Sequence, residues 1–220
     1  EDGSIAMNVL RAIEQTRLIA ILRGNLKDRA CEVATALSES GVLVMEVTLN
    51  SPDALQAIRT IRRYAGLSVS LGAGTVLSPE EVKQAFDAGA EFIVSPNMSP
   101  AVIEETKRLG MASFPGCFTC TEILNGLACG ADAIKLFPAI AFSPASLRAI
   151  LASLGSIRLI PTGGITAENA ADYLAAGAWA FGVGSEIVNL KSAGPLDTAS
   201  LRERASAIVK AIREAPKENL

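Results

Sequence analysis

The chain has 220 residues, of which 50% are hydrophobic, and a formal net charge of −3. This length is enough for one domain with a sizeable core. No uninterrupted apolar run approaches the roughly 18 residues needed to cross a bilayer, which argues against a membrane-spanning helix. The net charge and the lack of a basic block argue against nucleic-acid binding. We therefore expect a cytoplasmic protein with no membrane or nucleic-acid partner.

Histidine is absent from the sequence. Catalysis by a Ser-His-Asp or Cys-His arrangement is thereby excluded, and the commonest transition-metal ligand is missing. Cys117 and Cys120 have CxxC spacing, but no second pair completes a tetrahedral zinc site, so both are interpreted as reduced thiols. We expect no metal and no cofactor. Any chemistry must use lysine, carboxylates, hydroxyl groups or the backbone.

Strands and helices are predicted to alternate along almost the whole chain. Residues 1–6 are expected to be a leader ahead of a natural start at Met7, and residues 7–17 have the pattern of an extra helix. Short aliphatic or β-branched runs predict eight strands, at 18–24, 42–50, 69–75, 91–97, 111–117, 132–139, 157–164 and 179–185. Five of the helix-to-strand joints carry a glycine at the position of a helix C-cap.

Short joints between these elements predict a single (β/α)8 barrel domain over residues 7–220, with the extra helix across its bottom. Helix-start signals occur at Ser51, Ser78 and Thr166. Residues 189–200 are predicted to be a loop before the last helix. A doubly wound open sheet is the alternative, although no G-x-G-x-x-G motif follows the first strand, as a dinucleotide-binding fold would require.

The segment ADAIKLFPA, residues 131–139, places Lys135 within a short apolar strand. Burying an ammonium without a partner is costly, so Lys135 is either a paired structural cation or a reactive amine. Desolvation lowers the pKa of a lysine and gives a neutral amine that can attack a carbonyl. The structural alternatives are an ion pair with Glu46 and a side chain that extends out of the barrel to solvent.

Polar residues end several of the predicted strands and should meet at one rim of the barrel. Glu46 is one of them, in a strand whose alternation puts Met45 and Val47 on the opposite face. A carboxylate beside an imine-forming lysine can move protons during the reaction. The alternative is that Glu46 is only a buried ion-pair partner.

Glycines follow the last two predicted strands, as Gly163-Gly164 in PTGGIT and as Gly184-Ser185 in GVGSE. Backbone N–H groups at such positions can bind an anion with the help of a helix dipole. Phosphate sites recur after strands seven and eight of this barrel, so we predict one here. The earlier LGAGTV, residues 71–76, predicts a close backbone approach with a hydroxyl donor at Thr75, or else a plain tight turn.

Seven motifs follow one another between Leu18 and about Val188: EVTLNSP, GAGTVL, FIVSPN, PGCFTCTE, IKLFPA, PTGGI and GVGSEIV. In this order they resemble the 2-keto-3-deoxy-6-phosphogluconate / 4-hydroxy-2-oxoglutarate aldolase family. The resemblance implies a class I aldolase that forms a homotrimer of barrels. It also implies cleavage of a phosphorylated keto-deoxy sugar acid to pyruvate and glyceraldehyde 3-phosphate, with neither metal nor histidine.

The resemblance further implies roles for individual residues. Lys135 would form the Schiff base with the keto group, and Glu46 would move protons during cleavage. The phosphate would be held by Gly163, Gly164, Gly184 and Ser185, and the rest of the substrate by Arg23, Asn50, Thr75, Pro96, Phe137 and Thr162.

Two positions give conflicting indications of which epimer is the substrate. Asn50 stands where the phosphogluconate branch usually has arginine, and the surrounding LNSP resembles the 2-keto-3-deoxy-6-phosphogalactonate branch. Thr162 resembles the phosphogluconate branch, since the galactonate branch tends to carry valine. We predict that the substrate is the phosphogluconate, with the phosphogalactonate as the alternative substrate. A phosphosugar isomerase or epimerase with Glu46 as base, and a noncatalytic phosphosugar-binding barrel, are alternatives from other classes.

Overall fold

The computed structural model describes residues 5–65, 68–190 and 196–215. Their helices are α1 (Ile5–Thr16), α2 (Ala30–Glu39), α3 (Ala54–Ala65), α4 (Pro79–Ala88), α5 (Pro100–Arg108), α6 (Cys120–Ala128), α7 (Pro144–Leu154), α8 (Ala170–Ala175) and α9 (Thr198–Glu214). Their strands are β1 (Leu18–Leu22), β2 (Val44–Thr48), β3 (Ser70–Gly74), β4 (Phe92–Val94), β5 (Ala112–Phe114), β6 (Gly116–Cys117), β7 (Ile134–Leu136), β8 (Leu159–Pro161) and β9 (Phe181–Val183).

All strand pairs in the described residues are parallel. One sheet has the order β5-β4-β3-β2-β1-β9, and a second has the order β6-β7-β8. The larger sheet follows chain order from β1 to β5 without the reversal that defines a doubly wound sheet, so that alternative is wrong. The eight predicted strands are present but shorter than predicted, and β5 and β6 together form the fifth.

Pro115 separates β5 from β6, because proline has no N–H group with which to continue the ladder. Its carbonyl still accepts a hydrogen bond from the N–H of Lys135, at 3.0 Å. An isolated parallel bridge between Thr162 and Gly182 lies between β8 and β9. The described strands thus form a curled parallel sheet, and helices pack around it, with α2 in contact with both α3 and α9.

Alternating strand residues contribute to two hydrophobic clusters. Leu18 and Leu22 of β1 belong to an outer cluster shared with the surrounding helices, whereas Ile19 belongs to an inner one. The inner cluster also includes the strand residues Val44, Phe92, Val94, Ala112, Phe114 and Ile160, together with Ala133 and Ala180, which directly precede β7 and β9. Helix α1 adds Ala6, Val9, Leu10 and Ile13 to the inner cluster. The extra helix predicted from the sequence is therefore confirmed, and it covers the amino-terminal end of the sheet.

The predicted helix-start signals are partly confirmed. The Ser78 hydroxyl caps α4 by accepting a hydrogen bond from a backbone N–H at 3.2 Å, and α4 ends at Gly89, whose φ is 100°. Ser51 does not begin a helix, because α3 starts only at Ala54. The Ser51 hydroxyl instead makes a hydrogen bond with that of Thr48, at 2.9 Å.

Three further predictions concern the chain ends and one joint. Of residues 1–6, only the last two are described, and both belong to the first turn of α1. Thr166 is followed by a turn, and α8 begins at Ala170. The predicted loop 189–200 includes residues 191–195, which lie outside the described residues, and α9 begins at Thr198.

Candidate active site

Lys135 lies at the centre of β7, between two fully buried aliphatic residues, and is itself only 5% exposed. Its Nζ is 4.8 Å from the centre of the Phe137 ring. Burial lowers the pKa of the Lys135 amine from its ordinary value, because desolvation penalises the charged form. The negative charge of Glu46 opposes this shift, and the positive charge of Arg23 adds to it. The site therefore favours the neutral, nucleophilic amine.

Glu46 lies on β2, paired with Ile21 of β1 and Gly72 of β3, and is 2% exposed. Burial raises the pKa of its carboxyl group, and the positive charges of Lys135 and Arg23 partly offset that rise. No described residue donates a hydrogen bond to its Oε1. The prediction that Met45 and Val47 face away from Glu46 is confirmed, since both lie in the outer cluster.

The Lys135 amine and the Glu46 carboxylate influence each other without making an ion-pair contact. No nitrogen–oxygen distance between them falls within 4.0 Å. An internal cavity of about 10 Å³ is lined by both side chains, and a single water needs roughly this volume. The structure thus does not contain the contact ion pair that was the structural alternative for Lys135. Nor does the lysine side chain extend out of the sheet to solvent, since only 5% of it is exposed.

A cleft of about 230 Å³ opens over Lys135 at the carboxyl ends of β1, β7, β8 and β9. Parallel strands direct their following loops to the same end, which explains why residues distant in sequence meet here. The predicted site residues that line it are Arg23, Lys135, Phe137, Thr162, Gly163, Gly164, Gly184 and Ser185. Glu46 lines the small internal cavity instead, and Lys135, Thr162 and Gly182 line both that cavity and the cleft.

Two backbone segments of the cleft offer N–H groups. Gly163 and Gly164 have φ angles of 88° and 87°, which L-residues with a side chain rarely adopt. The N–H groups of Gly164 and Ser185 make no hydrogen bond to another described residue. Free backbone N–H groups that face one space are suitable donors for an anion.

The helix dipole expected to assist anion binding after β9 is not found there. Gly184 is followed by a single turn, in which the N–H groups of Ile187 and Val188 donate to its carbonyl at 3.0 and 2.9 Å. The next helix, α9, begins only at Thr198. Gly184 and Ser185 can therefore offer N–H groups to an anion, but not the dipole of a following helix.

Three predicted substrate-binding residues do not line the cleft. Asn50 is exposed in the turn after β2. Thr75, whose φ is 58°, accepts a long hydrogen bond from Nη2 of Arg23, at 3.4 Å. Pro96 is half-buried after β4, and its carbonyl lies beside Gly116. The roles of these three residues remain predictions.

Ser51 is a residue of the site region that the sequence interpretation missed. Its buried hydroxyl accepts a hydrogen bond from the N–H of Gly24, at 3.0 Å, in addition to its contact with Thr48. Gly24 in turn forms a parallel bridge with Leu190, which lines the cleft. Ser51 thereby fixes the segment that follows Arg23. A serine before a proline predicted only a helix start, so no local signal indicated this contact.

The cysteines do not contribute a reactive pair. Burial, with a smaller contribution from the charge of Glu122, raises the pKa of the Cys117 thiol to about 12. Cys120 is exposed, and no disulfide forms among the described residues. Thiolate is the reactive form of cysteine, so the raised pKa disfavours reaction at Cys117. The described part of the chain contains no group of three or more His, Cys, Asp or Glu that could hold a metal.

Within residues 5–65, 68–190 and 196–215, none of the helices combines the length and the apolar character of a membrane span.

Comparison with known proteins assigns the arrangement of a buried lysine, a buried carboxylate and a glycine-lined cleft to a family. The family model described as "Aldolase: KDPG and KHG aldolase" matches residues 9–202. The chain belongs to this family. Its members are carbon–carbon lyases, and the resemblance identified from the seven sequence motifs is confirmed.

Individual relatives include both substrate branches. The chain is 41% identical to the probable 2-dehydro-3-deoxy-6-phosphogalactonate aldolase of Rhizobium meliloti (strain 1021), over 88% of this chain and 90% of that protein. It is 39% identical to the 2-dehydro-3-deoxy-6-phosphogalactonate aldolase of Escherichia coli (strain K12), over 90% of this chain and 95% of that protein. It is 36% identical to the 2-dehydro-3-deoxy-phosphogluconate aldolase of Treponema pallidum (strain Nichols), over 77% of this chain and 80% of that protein.

Solved structures match the fold over nearly the whole chain. One described as a native KDPGal structure has a TM-score of 0.85 and 40% identity, and the match covers 90% of this chain and 95% of that one. Another is the KDPG aldolase of Legionella pneumophila with pyruvate captured as a covalent carbinolamine intermediate. It has a TM-score of 0.76 and 27% identity, and the match covers 95% of this chain and 98% of that one.

Proposed function

We propose that this aldolase is a class I enzyme in which Lys135 forms a Schiff base with the 2-keto group of a 2-keto-3-deoxy-6-phospho sugar acid. The observation that carries the proposal is the burial of Lys135 at the base of the cleft, where no carboxylate of the described residues is in contact with it. This setting favours the neutral amine, which is the nucleophilic form. The covalent carbinolamine in the related Legionella pneumophila structure supports the same chemistry.

The groups near the cleft suffice for a balanced reaction. The Lys135 amine adds to C2, and Glu46 donates a proton to the departing hydroxyl group, so that loss of water leaves a protonated imine and an ionised Glu46. Glu46 takes the proton of the C4 hydroxyl, the C3–C4 bond breaks, and its electron pair enters the imine as glyceraldehyde 3-phosphate leaves. Glu46 then returns the proton to C3 of the enamine, and water releases pyruvate from Lys135. The raised pKa of Glu46 suits a group that must both accept and donate a proton.

The remaining polar groups of the cleft are proposed to bind the substrate. The phosphate accepts hydrogen bonds from the backbone at Gly163, Gly164, Gly184 and Ser185. Arg23 supplies a positive charge for the carboxylate, and its hydrogen bond to Thr75 orients the guanidinium group. The Phe137 ring and the Thr162 hydroxyl contact the carbon chain between these two anionic ends.

The first substrate we propose is 2-keto-3-deoxy-6-phosphogluconate. Its support is Thr162, which lines both the cleft and the internal cavity and whose hydroxyl donates a hydrogen bond to the carbonyl of Ile160 at 3.1 Å. The second candidate is the phosphogalactonate epimer. It is favoured by the relatives from Rhizobium meliloti and Escherichia coli, which are named for that substrate and are 41% and 39% identical. 4-Hydroxy-2-oxoglutarate is a further, unphosphorylated substrate.

We further propose that the curled sheet closes into an eight-stranded (β/α)8 barrel, and that the protein is a cytoplasmic homotrimer. The bridge between Thr162 and Gly182 and the continuity of β5 and β6 across Pro115 support closure. Exposed apolar side chains, including Leu124 at 50% and Ile140 at 81%, support a surface that association would bury.

The experiment that tests the proposed function is a comparison of pyruvate release from both epimers. The wild-type protein should cleave at least one epimer, and Lys135→Met should cleave neither. A higher kcat/KM for the phosphogalactonate than for the phosphogluconate would favour the phosphogalactonate as the substrate. Binding of both epimers without pyruvate release would favour a noncatalytic binding protein instead, and conversion of one epimer to the other would favour an epimerase.

A further inference from the structure

Gly74 ends β3 next to the strand that carries Glu46. In the parallel register Glu46 is opposite Gly72, and Thr48 is opposite Gly74. The φ angle of Gly74 lies outside the left-handed region, unlike those of Gly163 and Gly164. Its backbone conformation therefore does not require glycine, and the reason for a glycine here must be space.

The space beside Gly74 is occupied by the Glu46 carboxyl group. A Cβ placed on Gly74 in ideal geometry would collide with Oε1 of Glu46 and lie 2.8 Å from its Cδ. The next nearest atom is Cγ2 of Thr48, at 3.3 Å. A side chain at position 74 would thus meet the reacting end of Glu46 first. Because that end is the flexible part of the contact, the carboxylate would move rather than the strand.

The Glu46 carboxylate has little else to hold it in place. No described residue donates a hydrogen bond to its Oε1, and among the described residues no lysine or arginine nitrogen is in contact with it. Its position is set by the shape of the pocket, in which Gly74 forms one wall and the internal cavity shared with Lys135 another. A side chain at position 74 would therefore displace the Glu46 carboxylate directly.

We infer that Gly74 is a positioning residue for the reaction, whose missing side chain provides the space in which the Glu46 carboxylate sits. The inference rests on the proposed function, since it assigns Gly74 a role through the proton-transferring group. Displacement of a catalytic group by about 1 Å can cost on the order of a hundredfold in rate. Gly74 thus acts on turnover through Glu46, for whose carboxylate it leaves room.

Gly72 offers a matched control on the same strand. A Cβ on Gly72 would collide with the ring of Phe92, which is fully buried in the inner cluster. A buried ring cannot move aside as a carboxylate can, so Gly72→Ala should lower stability. Gly74→Ala should instead lower activity while the melting temperature stays close to that of the wild type. Comparing the two variants therefore distinguishes an effect on core packing from an effect on the position of Glu46.

The test measures pyruvate release by Gly74→Ala in the full chain. We expect kcat to fall about ten- to a hundredfold, with KM changed less than about threefold. In a Glu46→Gln background the catalytic group is already lost, so adding Gly74→Ala should change kcat less than about twofold. An unchanged kcat for Gly74→Ala, or an equal loss in both backgrounds, would overturn the inference.

A further variant keeps the inference testable if Gly74→Ala fails to fold. Glu46→Asp withdraws the carboxylate by one methylene, so an alanine at position 74 no longer meets it. The Gly74→Ala/Glu46→Asp variant should then regain the fold, and equal instability of the double variant would overturn the inference. A wild-type protein that forms no pyruvate adduct at Lys135 would defeat the proposed function itself, which distinguishes the two failures.

Discussion

Replacing Glu46 with glutamine is the most informative substitution in the site, because it preserves the shape of the side chain and removes its ability to accept a proton. Glu46 is 2% exposed, and burial raises its pKa toward the pH at which general acid–base catalysis is most effective. We expect kcat to fall by about 10²–10⁴-fold. At 1.36 kcal/mol per factor of ten, this is about 3–5 kcal/mol of transition-state stabilisation.

The same substitution should also change the pH dependence of imine formation. The negative charge of Glu46 raises the pKa of Lys135, so its removal lowers that pKa further. The amine of the Glu46→Gln variant then stays neutral to lower pH, and the midpoint for trapping pyruvate moves down. Arg23→Gln is the control variant, in which the midpoint for trapping pyruvate should move in the opposite direction. The Arg23 charge lowers the pKa of Lys135, so its loss moves the midpoint up.

Two assays are needed for this prediction. Pyruvate release under saturating substrate gives kcat, and borohydride trapping of pyruvate across a pH series, read by mass spectrometry, gives the midpoint. Circular dichroism should show that each variant is folded. Near-wild-type turnover by Glu46→Gln, or a midpoint that moves up in this variant, would refute the assignment of Glu46 as the acid–base group.

Two further substitutions test the substrate contacts. Gly164→Asp would put a carboxylate and a Cβ into the space proposed for the phosphate, at a residue with a φ of 87°. Its KM for phosphorylated substrate should rise far more than that for 4-hydroxy-2-oxoglutarate, and equal losses on the two would move the phosphate elsewhere. Thr162→Val removes, at nearly constant volume, a hydroxyl that donates to the Ile160 carbonyl and can still accept a hydrogen bond from the substrate. Preference for the gluconate epimer should fall about ten- to a hundredfold, because a substrate hydroxyl left unpaired costs about 1–3 kcal/mol. A wild-type preference for the galactonate epimer would contradict this reading of Thr162.

Much of the fold was predictable because its signals are local. Buried aliphatic runs marked the eight strands, and glycines such as Gly89 marked the ends of helices. Strand alternation correctly separated Glu46 from its neighbours in sequence. Exact strand ends were not predictable, because hydrogen-bond pairing with the neighbouring strand sets them. Pro115, which divides the fifth strand, is an example.

The parts of the site that the sequence did not predict depend on contacts between distant segments. Ser51 joins Gly24 across 27 positions, and no local pattern encodes that hydrogen bond. The fit between Gly74 and the Glu46 carboxylate likewise depends on the register of two strands. A helix dipole was expected to assist at Gly184 because a glycine followed by polar residues is compatible with a helix start as well as with the single turn found there.

Reductive trapping with pyruvate tests the central claim most directly. The wild-type protein, treated with pyruvate and borohydride and then digested, should carry one reduced pyruvate adduct, on the peptide that contains Lys135. Lys135→Met should carry none under the same conditions. Modification of another lysine, or no modification of the folded wild-type protein, would contradict the account.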